Sequence, residues 1–129
     1  MTVRKAIKLA ETMLPGVAAT AGDRDPRGQV ILDVGGYSRS DPEPVWSFIE
    51  RWGQHEDADL RMAIGLCLLE HLLGYHFELI FPRVEEVAMK SVRFADTFRH
   101  CRKMGEAEAT DRAARWDALL ARLNPGSAA

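Results

Sequence analysis

The chain has little of what usually announces a function. Its two cysteines, Cys67 and Cys101, are too few and too far apart for a disulfide framework. Cys67 falls inside an apolar segment, so the pair reads as reduced thiols in a cytoplasmic protein. Lys and Arg number 17 against 19 Asp and Glu, a formal net charge of -2. No excess of positive charge is left to hold nucleic acid. The longest apolar run, residues 62–73, is too short to cross a bilayer and carries Glu70 and His71. The opening Met-Thr-Val-Arg-Lys-Ala-Ile-Lys has no run long enough for a secretory signal. There is no nucleophile elbow, glycine-rich phosphate loop, paired-carboxylate signature, CxxC or HExxH. The sequence therefore gives no grounds for a catalytic residue, a cofactor or a membrane partner. Strand alternation is also missing; residues 29–34 come nearest, but their Asp-Pro start favours helix.

What is present is helical periodicity in a chain of one domain's length, 47% hydrophobic and 28% charged. The stretch 57–73 dominates. Leu60, Ala63, Ile64, Cys67, Leu68 and His71 mark one helical face, and Met62, Leu66, Leu69 and Leu73 mark a second. A helix apolar on nearly all sides is expected to be buried on nearly all sides. Its Leu, Ile and Met side chains offer on the order of 15 kcal/mol of gross burial, so the other helices are expected to wrap it.

Start and stop signals divide the rest. Thr2 is a plausible N-cap for a helix over 3–14, with Val3, Ile7, Ala10 and Leu14 inward and Pro15-Gly16 as its stop. Residues 16–24 read as a connector. Asp25-Pro26 opens a helix that Gly35-Gly36 weakens, and Asp41-Pro42 opens one carrying Val45, Phe48, Ile49 and Trp52. Asp57 repeats the start, so Asp25, Asp41 and Asp57 fall 16 residues apart each time. A hairpin about every 32 residues is within the range of stacked helical repeats. Beyond Gly74 the pattern predicts a short helix or turn over 75–81, a helix from Pro82 to Lys90, another over 94–102, a break at Gly105 and a last helix over 109–123. The expectation is one all-α domain of six to seven helices: an N-terminal helix and connector (1–24), a core (25–75), C-terminal helices (76–123) and a frayed tail (124–129).

The core carries a resemblance. Pro-Val-Trp-Ser-Phe-Ile-Glu-Arg-Trp at 44–52, followed by Glu-Asp-Ala-Asp-Leu-Arg-Met-Ala-Ile at 56–64, resembles a HEAT repeat, in which a second helix opens with Asp, a hydrophobic residue, Arg and alanines. Asp25-Pro26-Arg27 echoes it one hairpin earlier, and the resemblance covers about residues 25–75. It implies a stack of antiparallel helix pairs, an α-α superhelix. Asp57 or Asp59 with Arg61 would brace the turn, and one helix-lined face would hold a protein partner. Some HEAT-like proteins repair alkylated DNA bases with tryptophans and acidic residues in a basic groove; Trp46 and Trp52 invite that comparison, but the positive charge is missing.

Candidate sites follow. Trp52 belongs to the apolar stripe of its helix, whereas Trp46 points elsewhere, which marks it either as a binding hot spot or as a side chain packed at the rim. With Arg51, His55 and Tyr75 it makes up the expected partner face. Glu70, His71, Tyr75, His76 and Glu78 gather ionisable groups beside the most apolar helix. They form either a polar pocket with an acid–base pair or, the preferred reading, a hydrogen-bonded cluster fixing the bend at Gly74. Cys67 and His71, four apart, are half of a zinc site, and His100 with Cys101 would have to supply the rest. Adjacent helical residues diverge by about 100°, so ordinary buried Cys and His are preferred and no metal is expected. Assembly of several copies is a further reading, since a short solenoid has ends that need capping.

Overall fold

In a computed structural model that describes residues 1–14 and 26–124, the chain is helical, with no strand among those residues. The Thr2 hydroxyl accepts the Lys5 N–H at 3.2 Å and opens α1 (Val3–Met13). The helix α2 (Pro26–Gly35) begins on its proline and stops in the glycine pair. Asp41 precedes α3 (Pro42–Trp52) but caps nothing; its carboxylate accepts from the Ser40 hydroxyl instead. Asp57 does cap, accepting from the Asp59 and Leu60 N–H groups at 2.9 and 3.4 Å. It opens a continuous central rod made of α4 (Ala58–Ile64), one π turn (Gly65–Leu69) and α5 (Glu70–Tyr75). Then come α6 (Phe77–Lys90), α7 (Val92–Arg99), a 3-10 turn (Gly105–Glu108) and α8 (Thr110–Leu123). With the rod taken as one, the described residues hold seven helices, the upper end of the expected range. The connector over 16–24, the Asp25 cap and the tail beyond Asn124 lie outside the described residues.

Two expectations fail locally. Pro82 does not start a helix; α6 begins five residues earlier and runs through it. The lost hydrogen bond costs about 3 kcal/mol, but the extra turns bury Phe77, Ile80 and Phe81 completely, at about 2 kcal/mol each. The Glu106 carboxylate also accepts the Phe77 N–H at 3.0 Å, capping α6 from a distant loop. The helix expected over 94–102 starts at Val92 on a Ser91 cap and ends at Arg99, because the chain turns so that the Arg102 N–H meets a carboxylate on the rod.

The helices form two layers. One holds α2, the rod and α7; the other holds α1, α3, α6 and α8. Arg27 meets Asp57 at 3.1 Å, and Gly35, the last residue of α2, lies against the Cys67 carbonyl, so α2 and the rod run in the same direction. Arg61 meets Asp96 at 3.0 Å and Gly65 lies against Thr97 and His100, so α7 is parallel to them as well. The second layer is laced by Arg51–Glu11, Arg83–Glu43, Arg115–Glu78 and Arg122–Glu85. Between the layers lies an aromatic run, Phe77 on Phe81, Phe81 on Phe98 and Phe98 on Trp116, with centroids 4.6, 6.3 and 4.9 Å apart. Two close crossings fix the rod. A side chain on Gly65 would start 2.5 Å from the Thr97 carbonyl. A side chain on Gly105 would start equally close to the Gly74 carbonyl, and its φ of 55 is a conformation that glycine adopts freely.

Candidate binding face

The rod is not covered on all sides. Leu60, Ile64, Leu68, Leu69, Leu72 and Leu73 are buried between the layers, as the apolar pattern requires. Met62 and Tyr75, however, are 41% and 46% exposed, and Leu66 and His71 are half-buried. These four form one stripe, spaced four, five and four residues apart. The five is the π turn: the Glu70 N–H donates to the Gly65 carbonyl five residues back, and the wider turn keeps His71 and Tyr75 in line with Met62 and Leu66. The same extra residue lets Leu68 and Leu69 both face the core.

Parallel packing widens the stripe into a face. Arg27 and Asp57 are level, so Leu32, five residues beyond Arg27, is level with Met62, five beyond Asp57. Leu32 is also 57% exposed. At the far end the Arg39 guanidinium lies over the Tyr75 ring, 5.9 Å from its centroid. On the other flank, Asp96 and His100 of α7 are half-buried beside Arg61 and Gly65.

The structure redistributes the residues singled out from the sequence. Trp46 is not an exposed hot spot: it is 5% exposed and meets Phe94 edge-on with centroids 5.8 Å apart. The α3 helix is covered from several directions, so its buried arc takes in Trp46 as well as Val45, Phe48, Ile49 and Trp52. Arg51 and His55 do come together, but around Trp52. The guanidinium lies 5.1 Å from that ring's centroid, and the imidazole stacks on it at 5.7 Å. Tyr75 lies at the other end of the rod, so the four do not make one face.

The polar pocket expected around Glu70, His71, His76 and Glu78 is not assembled either. Each group has its own partner in a different direction. Glu70, 1% exposed, accepts from the Arg102 backbone N–H at 2.8 Å and from its guanidinium at 3.0 Å. His76 Nε2 donates to the Arg39 carbonyl at 2.8 Å. Glu78 pairs with Arg115 and Arg112, whose hydrogen bonds hold its carboxyl below the usual range. His71 makes no side-chain hydrogen bond among the described residues and stands in the open stripe. Gly74 sits in the last turn of the rod, braced by Met104 and Gly105 rather than by this cluster.

The repeat-turn residues do form a network. Asp57 caps the rod and accepts from Arg27, which with the two backbone bonds lowers its carboxyl pKa despite some burial. Arg61 donates to the His55 and Glu56 carbonyls, both at 2.9 Å, and to Asp96. His55 Nδ1 accepts the Asp57 N–H at 3.0 Å. Asp59 contributes only its backbone N–H. Sequence reasoning missed Arg102, Asp96 and Glu106, which arrive from about 30 residues away. Arg27 could have been found, since Asp25-Pro26-Arg27 echoes the later motif.

Cys101 and Cys67 serve packing. The Cys101 residue is partly covered, but its thiol lies inward and donates to the Gly65 carbonyl at 3.3 Å. Burial and the nearby Glu70 push the Cys101 thiol well up and the Cys67 thiol up, so both stay protonated at neutral pH. Among the described residues, no three His, Cys, Asp or Glu side chains are placed to hold a metal ion. No described helix is long and apolar enough to cross a membrane. A groove of about 490 Å³ between α3 and α6 is lined by mixed charges, including Glu50, Arg83, Glu86 and Lys90.

No known protein family, curated protein or solved structure matches this chain. The stripe on the rod, with its flanks on α2 and α7, therefore has to be read on its own chemistry.

Proposed function

We propose that this chain is a non-enzymatic helical-repeat domain of HEAT-like construction that holds a protein partner on the face of α2, the rod and α7. The observation that carries this is the open stripe Met62, Leu66, His71 and Tyr75, with Leu32 level beside it, on the most apolar helix of the chain. Methionine adapts to irregular surfaces, and tyrosine offers a rigid apolar ring with a polar tip; both suit protein contacts. The HEAT-like part of the reading is supported by three parallel helices joined by the rungs Arg27–Asp57 and Arg61–Asp96. A cytoplasmic setting agrees with two cysteines kept as thiols.

The test is recovery of partners from the cells that make the protein, comparing the native chain with a Met62→Asp/Tyr75→Ala variant whose helix content is checked by circular dichroism. We expect a protein retained by the native chain and reduced about 10-fold or more by the variant. Equal recovery by both chains would remove this face from the function. The competing reading, an enzyme or a DNA-repair-like protein centred on Glu70, His71 and His76, has less support because Glu70 is engaged by Arg102 and His76 by Arg39. Duplex binding that persists at moderate salt, or an activity lost in Glu70→Gln, would restore it.

A further inference from the structure

A second concavity, about 220 Å³, lies where the end of α6, the start of α7 and the end of α8 meet. Its floor is Ala88 and Ala95, each 4% exposed, so short that the backbone is recessed there. Its rim carries Met89 and Val92, 55% and 85% exposed, the latter the most exposed large apolar side chain among the described residues. Every charged residue in the lining is a cation: Lys90, Arg99 and Arg122. In a chain of net charge -2, that is a local reversal of sign.

The cations are held in different ways. Arg122 is turned to Glu85 at 2.9 Å and Lys90 to Glu86 at 3.2 Å, both exposed pairs that exchange readily with other anions. Arg99 gives one N–H to the Leu123 carbonyl at 2.8 Å and meets no carboxylate among the described residues, which leaves the rest of its donor fork open. Arg93, one residue beyond Val92, is likewise in no ion pair among the described residues.

We infer that this notch between α6, α7 and α8 is a docking site for an acidic peptide segment of a partner protein, one that carries a large apolar side chain. The apolar side chain enters over the alanine floor between Met89, Val92 and Leu123. Its flanking carboxylates meet the open fork of Arg99 and displace the exposed pairs on Lys90 and Arg122. The recessed floor favours a peptide over a lipid surface, which would meet a convex edge. The inference is independent of the proposed face: on α7, Val92, Ala95 and Arg99 line the notch, whereas Asp96, Thr97 and His100 meet the rod.

The experiment is fluorescence anisotropy with the full chain and a fluorescein-labelled probe, Asp-Glu-Asp-Leu-Phe-Asp-Glu. Comparison probes have the Leu-Phe pair replaced by Ser-Ser or the acids replaced by Lys. We expect saturable binding of the first probe alone, weakened about 10-fold by raising salt from about 50 to about 500 mM. Arg99→Glu and, separately, Val92→Asp should each cost about 10-fold in affinity. Val92 is exposed enough for its variant to keep the fold even if Arg99→Glu loosens α8. The Met62→Asp/Tyr75→Ala variant should bind the probe as the native chain does. Binding unchanged in Val92→Asp, equal binding of the Ser-Ser probe, or no binding of the first probe overturns the inference. So does Val92-dependent binding of phosphatidylserine vesicles in place of the peptide, which would make the site a lipid contact.

Discussion

Both sides of the central rod carry large apolar side chains, the inner one Leu and Ile throughout and the outer one Met62 and Leu66 beside His71 and Tyr75, yet they have opposite fates. One side, from Leu60 to Leu73, is sealed between the helix layers; the other, from Met62 to Tyr75, faces outward between α2 and α7. Apolar content accounts for only part of the difference, since Met62 and Leu66 are on the outer side. What separates them is where neighbours can reach. The second layer covers the inner side with large side chains, while α2 and α7 approach the flanks through Gly35 against Cys67 and Gly65 against Thr97. Close flanking helices hold the rod in place without roofing it, and the outer stripe is left for something else.

Substitution along the rod measures that contrast. Leu68→Ala, at a completely buried position, is expected to lower unfolding free energy by about 3 kcal/mol, read by urea denaturation. A loss below about 1 kcal/mol would mean that the inner side is not packed as described. Glu70→Gln comes next. The carboxylate is 1% exposed and holds the Arg102 backbone, so loss of its charge should cost about 2 kcal/mol and raise amide exchange at Arg102 and Lys103. Unchanged exchange there would show that Glu70 does not fix this loop. Met62→Ala should be smallest, within about 0.5 kcal/mol of the native chain. A Met62→Ala cost matching that of Leu68→Ala would erase the distinction between the two sides.

Much of the fold could be read locally. Thr2 and Asp57 act as caps because a cap needs only its own next few residues. The stripes on α3 and α8 follow a 3.6-residue period that nearby residues set by themselves. Trp46 was harder. Its burial depends on Phe94, which arrives from a helix nearly fifty residues on. Glu70 has the same difficulty with Arg102, so ionisable residues close in sequence resembled a pocket although each turns to a different distant partner. Pro82 misled for a related reason: its backbone penalty is local, while the aromatic burial that outweighs it is not. The open stripe is hidden from a fixed-period reading, since Met62 and Leu66 fall out of step with His71 and Tyr75 unless the turn between them takes in one residue more than an α-turn does.

The wide turn over Gly65–Leu69 takes up one extra residue without changing the phase of the helix after it. If one letter were deleted there, the rod could close into uninterrupted α-helix with its two halves facing as before, whereas a deletion elsewhere in the rod would swing the later half by about 100° relative to the first. In that second case Tyr75 and His71 would leave the line of Met62, and Leu72 or Leu73 would be carried toward water. The wide turn thus works as a spare link, a place where a single-codon deletion leaves the outward surface of the domain in register.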